Sequence, residues 1–244
     1  MAFSALTGAT ALVAQVESPQ TPIFKDISLE VGLEAKSIFR GIKRSNEAFS
    51  SGVRAELSKL NLYGGAYTVQ PFNSSDNSEV DVYLGTRDRL NKYFSYDAGV
   101  TGYIYPGKLG GSIRNTIEPY VGLIGQIPKL SGLSASAYVY YDIEREGLTT
   151  ELAVSYRITL WDQIEVNLSA FGGYVDADNL TPLSPGPDVN ESYFYHGVSV
   201  EFPFTVNEHI VITVGLNYSN TFNLNPGIDG GDQLWGVGRI TYTF

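Results

Sequence analysis

The chain has 244 residues, with 16 Lys and Arg against 26 Asp and Glu, which gives a formal net charge of −10 at pH 7. That acidity argues against a nucleic-acid partner, which needs a basic face. The absence of Cys removes disulfides, thiolate metal sites and cysteine nucleophiles, and with two His no metal or cofactor site is expected.

Residues 1–14 (MAFSALTGATALVA) are small, apolar and uncharged. They match the apolar region and small-residue cleavage end of an export signal, although the basic start is missing. Residues 15–26, bearing Pro and Thr, read as a leader into the first strand. Residues 27–244 then form one all-β domain. No run of 18 apolar residues occurs, so a transmembrane helix is not expected.

From Ile27 to Arg40, apolar Ile27, Leu29, Val31, Leu33, Ala35 and Phe39 alternate with Ser28, Glu30, Glu34, Lys36 and Arg40. Side chains of a strand point alternately to its two faces, so one face is apolar and the other charged. The length suits the roughly ten-residue alternating segments of a membrane barrel. The pattern recurs over Ser50–Leu57, Leu62–Val69, Glu79–Leu84, Phe94–Ile104, Ile113–Ile124 and Leu133–Asp142. It continues through Leu148–Ile158, Ile164–Ala170, Tyr193–Phe204, Ile210–Ser219 and Gln233–Phe244. The expected fold is a transmembrane antiparallel up-and-down β-barrel of about twelve strands.

Connections support this count. Gly41–Ala48, Gln70–Ser78, Pro106–Ser112, Val175–Glu191 and Asn223–Asp232 fall on one side and include the longest segments, with the brief Ile143–Gly147 turn as the exception on that side. Lys59–Asn61, Arg87–Tyr93, Gln126–Gly132, Thr159–Gln163 and Thr205–His209 fall on the other and are mostly shorter. Short turns at one rim and long loops at the other are the habit of outer-membrane barrels. Aromatic rings gather near both strand ends, as interfacial belts do: Phe94, Tyr96, Trp161, Phe202 and Phe204 at the short-turn side, Tyr141, Tyr174, Phe194, Tyr218 and Phe222 at the other. The last strand carries Ile240, Tyr242 and Phe244 in alternation up to a terminal Phe. This resembles the signal that the outer-membrane barrel assembly machinery reads.

Phe39-Arg40-Gly41, Leu62-Tyr63-Gly64-Gly65, Glu79-Val80-Asp81-Val82-Tyr83-Leu84-Gly85, Tyr96-Asp97-Ala98-Gly99, Tyr103-Ile104-Tyr105-Pro106-Gly107 and Glu118-Pro119-Tyr120-Val121-Gly122 occur in that order. In these motifs the chain resembles the TorF-like porin family of bacterial outer-membrane proteins. It departs from the family in having Ile42-Lys43 where Ser-Gln is usual. The resemblance covers roughly the first half and implies an outer-membrane channel. Pro119, which cannot donate to a sheet ladder, is expected to sit at a bulge.

With the apolar set facing outer-membrane lipid, the polar set lines the lumen. It comprises Glu30, Glu34, Lys36, Arg40, Arg54, Glu56, Glu79, Asp81, Asp97, Arg114, Glu118, Glu151, Arg157, Glu165, Glu201 and Arg239. Ion pairs between neighbouring strands could satisfy these charges without transport. A water-filled pore with this acidic excess would pass small solutes or ions and favour cations. A barrel lipid hydrolase would need a Ser beside a His base, and neither His196 nor His209 has such a partner at useful spacing. A non-conducting structural or adhesive barrel, acting through the Pro182-, Pro185- and Pro187-bearing loop, is the remaining alternative.

Overall fold

The computed structural model describes residues 24–57, 60–73, 76–106, 115–127, 130, 132–180 and 189–244. The signal-like segment, most of the leader, Arg114 and the three loop prolines lie outside these residues. In chain order the strands are β1 (Phe24–Glu34), β2 (Ser37–Phe39), β3 (Ile42–Ser45), β4 (Ala48–Leu57), β5 (Leu62–Pro71), β6 (Glu79–Arg89) and β7 (Phe94–Ile104). They continue with β8 (Thr116–Gln126), β9 (Leu133–Asp142), β10 (Gly147–Trp161), β11 (Ile164–Leu180), β12 (Val189–Thr205), β13 (Ile210–Phe222) and β14 (Gln233–Thr243).

Among the described residues, twelve strands close into an antiparallel barrel in which β1 pairs with both β4 and β14. The closing seam runs in register from Ser28↔Thr243 to Glu34↔Val237. Closure leaves no unpaired edge, the condition for a sheet to span hydrocarbon. The predicted faces hold. Val31, Val82, Leu84, Val121, Leu152, Val154, Val214 and Ile240 are exposed on the outside, while Glu79, Asp81, Asp97 and Glu118 are buried inside. The belt rings Phe94, Trp161, Phe202 and Phe204, and Tyr141, Phe194 and Phe222 at the opposite rim, are exposed as well.

The first predicted strand is corrected. The barrel strand ends at Glu34, and Ser37–Ser45 form a separate two-stranded hairpin, β2–β3, rather than a strand end and a loop. Its turn has positive φ at both Arg40 (49°) and Gly41 (78°), the geometry of a tight two-residue hairpin turn. The hairpin folds into the barrel, because Phe39 and Ile42 bury their apolar side chains there. Arg40 therefore belongs to this insert, Lys36 to the bend that leads into it, and neither to the wall strands.

Two smaller corrections follow. The Val175–Glu191 loop is shorter than expected: β11 runs to Leu180 and β12 starts at Val189. Val175, Ala177 and Leu180 pack with Ile42, Tyr193, Tyr195 and Ile228, so burial against the insert extends the strand. Pro119 makes no bulge, since it pairs in register with Val100. The β8–β9 ladder starts at Tyr120, just after it, where the missing N–H costs no rung.

Inside the wall, tyrosines lie across glycines. Tyr63 faces Gly85, Tyr83 faces Gly65, Tyr120 faces Gly99 and Tyr138 faces Gly122 in direct cross-strand register. A Cβ on Gly122 would meet the Tyr138 ring at 2.2 Å, and one on Gly85 would meet the Tyr63 ring at 2.5 Å. Each glycine is thus the space its opposite ring occupies, which keeps the ring against the wall. Gly122→Val is expected to cost roughly 1–3 kcal/mol by overpacking, whereas Gly238→Val, with nothing near its Cβ position, should be tolerated. Urea unfolding in detergent micelles, followed by tryptophan fluorescence, compares the two; equal midpoints would contradict this packing.

Candidate functional site

The long-loop half of the lumen is organised around the hairpin tip. Strands β8 to β12 stand opposite the β1–β4 seam in the ring, so a hairpin rising from that seam crosses the bore. Arg40 reaches Glu118 of β8 with both terminal nitrogens, at 2.7 and 2.9 Å. Its guanidinium also lies over the rings of Phe39 (4.7 Å) and Tyr140 (4.9 Å). Tyr103 donates to Glu118 Oε1 at 3.1 Å and packs edge-on against Phe39. Gly41 is pressed so close to β12 and β13 that a Cβ would lie 2.5 Å from Thr221 Cγ2 and 3.0 Å from Tyr195 Cβ. Behind the tip, Lys43 Nζ pairs with Asp229 (2.6 Å) and Lys36 Nζ donates to Gln233 (3.0 Å).

Two cavities of about 20 Å³ flank the hairpin. One is bordered by Arg44, Glu79 and Tyr105, the other by Arg40, Asp142 and Arg145. Each has room for about one water. Near the first, burial and then the Glu79 carboxylate push the Tyr105 phenol up to about 12, so it stays protonated; Arg145 donates to it at 3.4 Å. Arg145 also pairs with Asp142 (2.8 Å), whose other oxygen accepts from Thr116.

The short-turn half holds a second network. Asp97, 1% exposed, accepts from Tyr63 (2.5 Å), Tyr138 (2.9 Å) and Arg87 (2.7 Å). Arg54 pairs with Glu56 (2.8 Å) and lies 4.3 Å over the Tyr63 ring. Arg157 meets Glu165 at 3.5 Å, and Arg239 pairs with Glu201. Glu30, Glu34 and Glu151 instead accept from the hydroxyls of Thr241, Tyr67 and Tyr195. Glu79 and Asp81 sit buried on β6, and neither Asp81 oxygen has a hydrogen-bond partner among the described residues.

Most of the predicted set therefore faces inward, and much of it is joined in pairs. The sequence reading omitted Arg87, Asp142, Arg145, Lys43 and Arg44. Arg87 was legible: Asp81, Tyr83, Gly85 and Arg87 share one parity, and β6 continues to Arg89. The others sit in turns or on the insert, where alternation says nothing. His196 stacks on Phe222 on the outer face (5.1 Å), and His209 sits in a turn 3.6 Å from Glu208. Neither contacts a serine hydroxyl among the described residues.

The fold matches solved outer-membrane barrels. The KdgM porin, solved in complex with disordered oligogalacturonate, is 11% identical with TM-score 0.57, covering 90% of this chain and 99% of that one. The NanC porin is 10% identical with TM-score 0.57, covering 88% and 98%. An outer membrane channel from Pseudomonas putida F1 is 10% identical with TM-score 0.58, covering 94% and 100%. The fold is thus that of bacterial outer-membrane proteins. None of the curated proteins matches by sequence. A family model described as "Bacterial protein of unknown function (Gcw_chp)" matches residues 16–138, the half that carries the Tyr–Gly motifs and the inserted hairpin. With half of its length so matched, the chain belongs to the Gcw_chp family.

Proposed function

We propose that the protein is an outer-membrane channel of the TorF-like porin kind, carrying small solutes or ions by passive diffusion with a weak preference for cations. The observation that carries this reading is the inner wall. Charged and polar side chains line it, and Tyr63, Tyr83, Tyr120 and Tyr138 lie against facing glycines. Arginine–carboxylate pairs cancel much of the lining charge, while Glu30, Glu34 and Glu151 stay with hydroxyl partners. The remainder is acidic, and a narrow low-dielectric passage amplifies fixed charge.

Planar-bilayer conductance of refolded protein in a salt gradient tests this. Cation selectivity is expected, weakening as salt screens the lining over a Debye length of about 10 Å at 0.1 M. Oligogalacturonate, the polyanion seen with the KdgM porin, should pass poorly. Glu79→Gln with Asp81→Asn should lower the cation preference while conductance persists; anion selectivity in the parent would refute the acidic lining. The inserted hairpin supports a second reading, a non-conducting structural barrel, and absence of conductance would favour it.

The partners in this reading are outer-membrane lipid and the assembly machinery. Ile240 and Tyr242 on the closing strand, and Phe244 just after it, are exposed. Deleting Phe244 is expected to lower the amount of protein in the outer membrane severalfold, measured by surface labelling. Unchanged levels would reduce the terminal ring to an anchor.

A further inference from the structure

The hairpin turn places an unusual residue at its first position. Turns with positive φ at both central residues favour Asn-Gly or Gly-Gly, because Gly and Asn tolerate that backbone. Here the first is Arg40, at φ 49°. Local conformation does not favour a long branched cation there, so the reason lies in what its guanidinium meets. Its terminal nitrogens meet a carboxylate fork from Glu118 at 2.7 and 2.9 Å, and its plane lies over the rings of Phe39 and Tyr140 at 4.7 and 4.9 Å. Tyr103 donates at 3.1 Å to Glu118 Oε1, the oxygen that also accepts from Arg40 Nη2. A coplanar carboxylate with an aromatic face is how proteins recognise guanidinium, and an ammonium fills it less well.

The two halves of this contact belong to different parts of the molecule. Glu118, Tyr103 and Tyr140 are wall residues of β8, β7 and β9, while Arg40 arrives on a hairpin whose strands pair only with each other. Withdrawal of the hairpin would leave every barrel ladder intact and the wall site empty. We infer that Glu118, Tyr103 and Tyr140 form a lumenal binding site for solutes bearing a guanidinium group, occupied in this structure by Arg40 as an internal surrogate. A solute of that class competes with the hairpin tip and shifts the population toward the withdrawn hairpin. Binding is a property of the wall itself; its meaning for transport rests on the channel reading above.

Arg40→Gly is the test, because Gly suits the positive φ and empties the site without disturbing the turn. Refolded in detergent micelles, this variant should melt at a higher temperature with millimolar agmatine. It should respond to agmatine at about tenfold lower concentration than to putrescine, which lacks the fork. The parent should respond little, and adding Glu118→Gln should abolish the effect. If Arg40→Gly fails to refold, Arg40→Lys keeps the charge, and agmatine should still outdo putrescine in stabilising it. Equal responses to the two amines, or a response that survives Glu118→Gln, would overturn the site. In bilayers agmatine should block the Arg40→Gly current. Agmatine-specific stabilisation without any current supports the site and removes the channel. Current without agmatine-specific effects keeps the channel and overturns the site.

Discussion

Val154→Arg and Val214→Arg are each expected to block refolding into lipid, while Ser155→Arg refolds. Val154 and Val214 stand 48% and 56% exposed on the outer face, near the middle of β10 and β13. An Arg facing lipid at mid-depth costs roughly 2–4 kcal/mol. Ser155 is the chain neighbour of Val154 and points the other way, where its hydroxyl meets Ser134 at 2.7 Å on the inner wall. Losing that hydrogen bond costs only about 1 kcal/mol. The comparison uses one side-chain type one residue apart, so only the facing differs. Gel mobility of unheated samples after folding into vesicles reads the outcome. Equal tolerance of all three would mean that the apolar face does not meet lipid.

Asp97→Ala is expected to destabilise the barrel by about 3 kcal/mol or more, the scale for removing one partner of a buried ion pair. Three donors converge on this carboxylate from three strands, Tyr63 of β5, Arg87 of β6 and Tyr138 of β9. Its removal leaves Arg87 uncompensated beside the Tyr138 phenol, which has lost its acceptor, while Tyr63 keeps the Tyr120 hydroxyl as a partner. Arg87 is partly exposed, with 29% of its side chain accessible, so the loss should lie toward the lower end of the range. Asp97→Ala with Arg87→Ala should recover part of the stability, because the orphaned charge is gone. Urea midpoints in micelles measure the cycle. Strictly additive single losses would show that the pair is not coupled.

Sequence and tertiary structure divided the determination of this protein along a clear physical line. The barrel was legible because each wall strand is constrained twice, by lipid on one side and a polar lumen on the other. That double constraint writes a period of two into Leu29, Val31 and Leu33 against Glu30 and Glu34, and again into Val80, Val82 and Leu84 against Glu79 and Asp81. The same parity placed Arg54, Asp97, Glu118 and Arg239 inside. It also contained the Tyr–Gly pairs as motifs, Tyr83-Leu84-Gly85 among them, but their meaning lies across strands. Which glycine faces which ring follows from register, and register is a relation between segments. The hairpin was beyond any local reading. Phe39 continues the alternation of β1 as well as a wall residue would, and what takes it out of the wall is burial against Tyr103 and the pairing of Arg40 with Glu118. Glu118 is 78 positions away along the chain, and only closure of the ring brings it within reach.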